Sequence, residues 1–158
     1  MSEKSGCLFG WLANLLNQPG QERHEPLPYK KCEYFFTKAE RSFYGVLQKS
    51  LNSEHVLFAK VRLCDVVDVV PGTEKRQTHM NKISSKHVDF LLCDANYIKP
   101  VLVIELDDGS HSRADRQKRD ELVDRILAAA KVPILRVPAK ATYLPKDLQD
   151  SIRGAIQG

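Results

Sequence analysis

Acidic residues follow one another closely in two short apolar stretches of this sequence. Glu105, Asp107 and Asp108 end the run that begins at Val101, and Asp89 lies in a similar run upstream. Carboxylates in apolar strands cost several kcal/mol unless cations or hydrogen bonds compensate them. Because oxygen ligands of this kind suit Mg²⁺ or Mn²⁺, the clustering predicts a divalent-metal site rather than ordinary packing.

The register of a predicted hairpin decides whether these acids meet. Side chains alternate along a strand, so Glu105 and Asp107 share one face of theirs. If the hairpin is centred on Tyr97, Asp89 lies opposite Glu105 and His87 lies opposite Asp107. Since a slip of one residue would turn these side chains away, the metal site is a hypothesis about register.

A further acid lies at the start of the first predicted helix. The stretch Thr37–Glu40 matches a capping box, with the helix running to about Ser50. Glu40 aligns with Phe43 and Leu47 on the face expected to meet the sheet, which makes it a candidate metal ligand. Its role in the capping box is the alternative, and the two roles are compatible.

Basic residues follow the acids. Gly109 allows a tight turn into a helix whose free N–H groups attract phosphate. His111 in this turn is a candidate acid, base or phosphate donor, and an incidental turn histidine is the alternative. Arg119 is placed to extend the inner helix face toward the acids, although Asp120 could instead hold it in an ion pair. Candidate contacts to nucleic acid, or alternatively a solvated helix face, are Lys86, Arg113, Arg116 and Lys118.

Hydrophobic periodicity predicts the order α-β-β-β-α-β-α, an α/β fold with a small four-stranded mixed sheet flanked by helices. A helix between the third and fourth strands favours a parallel pairing for them. Residues 71–85 are expected to be a polar loop. Strands are predicted at 56–63, 88–93, 101–106 and 132–137, and helices at 37–50, 112–130 and 144–156.

The N-terminal part differs from the rest. Residues 7–16 are mostly apolar, but a membrane span needs about 20 such residues, and no signal-peptide pattern accompanies them. The alternatives are a helix on a membrane surface, a helix that docks a partner, and a short helix that lies on the domain or is partly disordered. Residues 17–28 contain several prolines and predict a linker. We therefore divide the chain into residues 1–28 and a domain at 29–158.

Composition narrows the classes of function. The formal charge of +4 permits an anionic partner such as DNA, and ordinary surface charge explains it equally well. The four cysteines include no Cys-x-x-Cys spacing, which argues against a zinc ribbon or a redox motif. A reducing compartment fits best, so we expect a cytoplasmic protein, with membrane association through residues 7–16 left open.

These motifs resemble the PD-(D/E)XK nuclease superfamily, and within it the branch of very-short-patch mismatch-repair endonucleases and an uncharacterised bacterial domain family. The resemblance implies a restriction-endonuclease-like fold and metal-dependent hydrolysis of phosphodiester bonds. It matches Asp89 and Glu105 to metal-binding acids and Glu40 to an acid supplied by the first helix. The stretches that carry it are Tyr34–Arg41, Lys86–Phe90, Val103–Asp108 and Arg119–Asp120.

The chain departs from this superfamily at one position, because Asp107 stands where a lysine is expected. Asp107 can bind metal but cannot donate a proton when ionised. We expect a Mg²⁺- or Mn²⁺-dependent nuclease acting on DNA, with Asp89, Glu105, Asp107, His111 and Arg119 as catalytic residues. The alternative is an inactive module that binds metal or nucleic acid on the same fold. A homodimer is a further open possibility.

Overall fold

The computed structural model describes residues 26–107 and 114–158, the side chains of 114–116 excepted. The chain divides into two units between Glu33 and Tyr34, and every helix and strand described here belongs to the second unit. The elements are α1 (Lys38–Ser50), β1 (His55–Arg62), a 3-10 turn (Leu63–Asp65), α2 (Arg76–Ser84), β2 (His87–Asp94), β3 (Pro100–Asp107), α3 (Ala114–Ala129), β4 (Ile134–Pro138) and α4 (Pro145–Gln157).

The four strands form one mixed sheet in the order β1-β2-β3-β4. The pairs β1–β2 and β2–β3 are antiparallel, and β3–β4 is parallel. The parallel pair is joined through α3, as a crossover connection requires. The predicted α/β class is thereby confirmed, and the architecture is consistent with a small restriction-endonuclease-like fold.

Helix α2 corrects the sequence-based prediction, which assigned residues 71–85 to a loop. The helix begins after Lys75, whose backbone is left-handed and whose side chain makes no capping hydrogen bond. Ile83 is buried and Met80 is half-buried against the core, while most other residues of α2 are exposed. With only two apolar residues facing the core and no capping residue, the sequence of α2 lacks the hydrophobic periodicity that would predict a helix. The helix is therefore stabilised by tertiary packing.

Two apolar clusters cover the two faces of the sheet. Leu91 and Val103 face one cluster, which α2 and α3 complete, while Phe90 and Ile104 face the other, which α1 and α4 complete. The first cluster comprises Leu63, Val67, Ile83, Val88, Leu91, Cys93, Val103, Val123 and Leu127. The second comprises Phe43, Leu47, Phe90, Leu92, Leu102, Ile104, Leu148 and Ile152.

Several predictions fall on residues outside the described ranges. They are the apolar segment 7–16, most of the linker at 17–28, and the turn that contains Gly109, His111 and Arg113. Within the described ranges, no helix combines the length and apolar content needed to cross a membrane.

Candidate functional site

The hairpin of β2 and β3 has the register predicted from the sequence. Phe90 pairs with Ile104 and Leu91 pairs with Val103. Continuing this register by one residue places Asp89 opposite Glu105, where β2 begins and β3 approaches its end. The irregularity in this hairpin lies between Leu92 and Cys93, toward the turn, and the pairs nearest the acids follow one register.

Asp89 is held by the backbone of the neighbouring strand. Its Oδ2 accepts a hydrogen bond of 2.9 Å from the Leu106 amide. Burial raises the pKa of Asp89, and the negative charge of Glu40 adds to the rise, while the Leu106 amide, Lys60 and Arg119 act in the opposite direction. Asp89 is therefore an oriented, half-buried carboxylate whose ionised form lacks full compensation.

Glu105 is the second half-buried acid. Its pKa is also raised by burial, and the charges of Asp89 and Asp120 raise it further, while Arg136 and Arg119 lower it. The charge of Asp89 therefore acts on Glu105 as a like charge in partly desolvated surroundings. A bound cation would relieve this repulsion.

Arg136 is a site residue that the sequence analysis missed. It pairs with Glu105 in the parallel register of β3 and β4, and its Nη1 lies 3.2 Å from Glu105 Oε2. Its Nη2 lies 2.7 Å from Asp124 Oδ1. Although burial acts to lower the pKa of Arg136, its bonds to Asp124 and Glu105 outweigh that effect and raise it. The sequence contained one indication of this role, because Arg136 is a charged residue inside the apolar strand predicted at 132–137.

Lys60 is a second missed residue, and its backbone is unusual for a strand. Its φ is 53°, a left-handed value that is costly for a residue with a side chain. The β1–β2 ladder pairs Ala59 with Phe90 and Val61 with Val88 but skips the pair between them, Lys60 and Asp89. Such an irregularity re-aims a side chain, a frequent arrangement next to functional sites.

The two strands change faces at this same level. Ala59 packs with the cluster under α1 and α4, whereas Val61 packs with the cluster under α2 and α3. Phe90 and Val88 differ in the same way. The alternation of side chains between the two faces of the sheet is therefore interrupted at Lys60 in β1 and at Asp89 in β2.

Glu40 links α1 to this point. The predicted capping box is confirmed: Thr37 Oγ1 accepts from the Glu40 amide at 3.2 Å, and Glu40 Oε2 accepts from the Thr37 amide at 2.6 Å. Glu40 Oε1 lies 2.8 Å from Lys60 Nζ. Burial alone would raise the pKa of Glu40, but Lys60 and Thr37 outweigh it, so the pKa is lowered. Glu40 is thus both a helix cap and the partner of Lys60.

The remaining predicted residues lie around this centre to differing degrees. Asp107 is half-buried and lines an open cavity of about 260 Å³ together with Asp120, Asp124 and Arg136. Arg119 is exposed on α3, yet its charge acts on both Asp89 and Glu105.

The other basic candidates are less closely tied to the acids. Lys118 is exposed, and Lys86 is half-buried just before β2. Arg116 lies on α3, while His111 and Arg113 fall outside the described residues. His87 is exposed and pairs with Arg62, and its charge acts on Asp65 rather than on the central acids.

Two carboxylates, those of Asp89 and Glu105, are the groups of the site that could hold a metal ion. Among residues 26–107 and 114–158, no three His, Cys, Asp or Glu side chains form a group that could hold a metal ion. Asp89 and Glu105 nevertheless supply hard oxygen donors from adjacent strands. Mg²⁺ is commonly bound through one or two protein carboxylates, with water and substrate phosphate completing its shell.

Comparison with known proteins identifies a family but no activity. The family described as "Protein of unknown function (DUF2726)" has a sequence model that matches residues 32–156, a range containing every helix and strand described above except the last residue of α4. No curated protein and no solved structure matches this chain.

Proposed function

This chain belongs to the family of unknown function DUF2726, and from its site we propose that it is a metal-dependent nuclease that hydrolyses phosphodiester bonds in DNA. The observation that carries the proposal is the pair of half-buried acids Asp89 and Glu105 on the adjacent strands β2 and β3. Burial raises the pKa of both, the charge of Asp89 adds to the rise at Glu105, and Asp89 is oriented by the Leu106 amide. The resemblance of these motifs to PD-(D/E)XK nucleases supports the same reaction.

Asp89 and Glu105 are the residues that would hold Mg²⁺ or Mn²⁺. When bound, such a metal lowers the pKa of an attacking water and stabilises charge on the phosphoryl oxygens. For Glu105 to serve as a ligand, its 3.2 Å contact with Arg136 has to be shared or opened. Arg136 would keep its 2.7 Å bond to Asp124 when that contact opens.

Lys60 and Arg119 are the cations that would bind phosphate oxygens beside the metal. Lys60 is positioned by its left-handed backbone and by Glu40, and both cations act electrostatically on Asp89. With Asp107 in the position where a lysine is expected, Lys60 offers the missing ammonium from β1. Metal binding by Asp107 and proton transfer by His111 remain predictions from the sequence.

The test is cleavage of plasmid, linear duplex and single-stranded DNA across titrations of Mg²⁺ and Mn²⁺. We expect metal-dependent cleavage that falls by at least about 100-fold in Glu105→Gln and in Asp89→Asn. Asp150→Asn is the matched control, because its exposed carboxylate lies 4.0 Å from Arg153 on α4. Cleavage that persists at the wild-type rate in both site variants would overturn the proposal.

A second candidate function is a module that binds metal or nucleic acid without cutting it. Two observations favour it: Asp107 replaces the expected lysine, and Arg136 already balances the charge of Glu105. This candidate predicts that the protein retains DNA on a gel and binds Mn²⁺, yet leaves every DNA substrate intact. Metal-dependent cleavage that Glu105→Gln abolishes would exclude it.

A further inference from the structure

We infer that the exposed aromatic side chains of Tyr34 and Phe35 stack on unpaired bases of a single-stranded nucleic acid that runs past Lys60 toward the acidic pair. This inference deepens the proposed nuclease function, on which it rests, by naming the form of the substrate. It is carried by the exposure of the two rings, by the cations beside them and by their connection to the site.

The two exposed rings are neighbours in sequence, and ring contacts connect Phe35 to the core. Tyr34 is 61% exposed and Phe35 is 67% exposed. The Phe35 ring meets Phe36 edge-on at a centroid distance of 4.9 Å. Phe36 in turn lies 5.0 Å from Tyr44 and 5.9 Å from Phe90 in the core. An exposed ring tied to the core in this way loses little freedom when a base stacks on it.

Each exposed ring has a cation beside it. The Arg41 guanidinium lies 4.8 Å from the centre of the Tyr34 ring. Lys60 Nζ lies 5.9 Å from the centres of both the Phe35 and Phe36 rings. Aromatic faces with neighbouring cations suit a single strand, because bases stack on the rings while phosphates meet the positive charge.

Lys60 connects these rings to the candidate site. The same ammonium that faces Phe35 lies 2.8 Å from Glu40, and Lys60 lies between the paired residues Ala59 and Val61, level with Asp89. A strand stacked on Tyr34 and Phe35 would therefore have its phosphates beside Lys60 and the acids beyond it.

Unpaired bases are the required partner because a duplex hides its base faces in the helical stack. Single strands, overhangs and frayed ends expose those faces, and each stacked base contributes about 1–3 kcal/mol. Tyr97 offers a matched control. It is 77% exposed and lies 5.1 Å from Lys99, but it occupies the turn at the other end of β2 and β3.

The experiment measures the affinity of the full chain for a short fluorescent oligonucleotide, single-stranded or in a blunt duplex, in EDTA. We expect the single strand to bind more tightly than the duplex. The double variant Tyr34→Leu with Phe35→Leu removes two stacking rings and should lose at least about 30-fold of the single-strand affinity. Tyr97→Leu should retain it, and circular dichroism checks that each variant is folded.

The inference is overturned if wild-type protein shows no preference for the single strand, or if Tyr97→Leu loses as much affinity as the double variant. It is also overturned if the double variant changes the sedimentation of the protein instead, since a second copy would then occupy the rings. These failures are distinct from failure of the nuclease proposal, which is measured as metal-dependent cleavage of plasmid, linear duplex or single-stranded DNA and its loss in Glu105→Gln.

Discussion

The Glu105 carboxylate lies 3.2 Å from the Arg136 guanidinium, across the parallel strands β3 and β4. Arg136 continues to Asp124 at 2.7 Å, so one cation is shared between the central acid and helix α3. This arrangement balances part of the negative charge of the site without a metal. Under the proposed function a metal would compete with Arg136 for Glu105, so the pair offers a way to measure metal binding.

Removing the guanidinium should destabilise the metal-free protein. In Arg136→Gln, half-buried Glu105 and partly exposed Asp124 lose their cation, and we expect the free energy of unfolding to fall by about 1–3 kcal/mol. Mn²⁺ should raise the melting temperature more in this variant than in the wild type. Arg153→Gln, in an exposed pair, should change stability by less than about 1 kcal/mol. Equal responses to Mn²⁺ would contradict competition.

Neutralising Asp89 should stabilise the metal-free protein at neutral pH. A carboxyl whose pKa is raised by folding lowers stability as pH rises from its unfolded value, about 3.9, through its folded value. Asp89→Asn keeps an oxygen for the Leu106 amide but cannot ionise. We therefore expect the variant to match wild type at low pH and to exceed it above this window, as measured by urea unfolding across pH.

Asp68 provides the opposite control for that measurement. The hydrogen bond from Arg76 lowers the pKa of Asp68, so its stabilising effect is present at neutral pH and is lost as pH falls through the folded value. Asp68→Asn should therefore be less stable than wild type at neutral pH, with a gap that closes in acid. If Asp89→Asn behaves like Asp68→Asn, the Asp89 site is not a place of uncompensated charge.

Because the backbone of Lys60 is left-handed, we expect a glycine variant at this position to be more stable than an alanine variant, which reverses the usual order in a strand. In an ordinary strand glycine is less stable than alanine, but at φ 53° alanine retains the steric penalty and glycine does not. We expect Lys60→Gly to exceed Lys60→Ala by about 1 kcal/mol in free energy of unfolding. Ala59→Gly, one residue away, should be destabilising, and a Lys60→Gly variant less stable than Lys60→Ala would contradict the strained geometry.

The capping box separates the structural role of Glu40 from its role beside Lys60. Thr37→Ala removes the oxygen that accepts from the Glu40 amide and should cost about 1 kcal/mol, while Thr37→Ser should be nearly neutral. Neither change removes the Glu40–Lys60 pair. We therefore expect cleavage by Thr37→Ala to stay near wild type and cleavage by Glu40→Gln to fall, assayed at a temperature where both are folded.

The residues themselves determined the hairpin and the first helix. Centring the hairpin on Tyr97 predicts the pairing of Phe90 with Ile104 that the structure has, and extending this register by one residue sets Asp89 level with Glu105. The capping box is local, because Thr37 and Glu40 lie within one helical turn. Patterns of this kind involve residues that are close in sequence, so they can be recognised without knowledge of the fold.

Only the tertiary structure decided which cations surround the acids. Lys60 reaches Glu40 through a backbone conformation that no propensity favours for lysine, and Arg136 reaches Glu105 from a strand far along the chain. Helix α2 likewise depends on the burial of Ile83 against the core. These features depend on contacts between residues that are distant in sequence. Half-buried charges are stabilised by ion pairs, and the strained backbone of Lys60 is maintained by the surrounding structure.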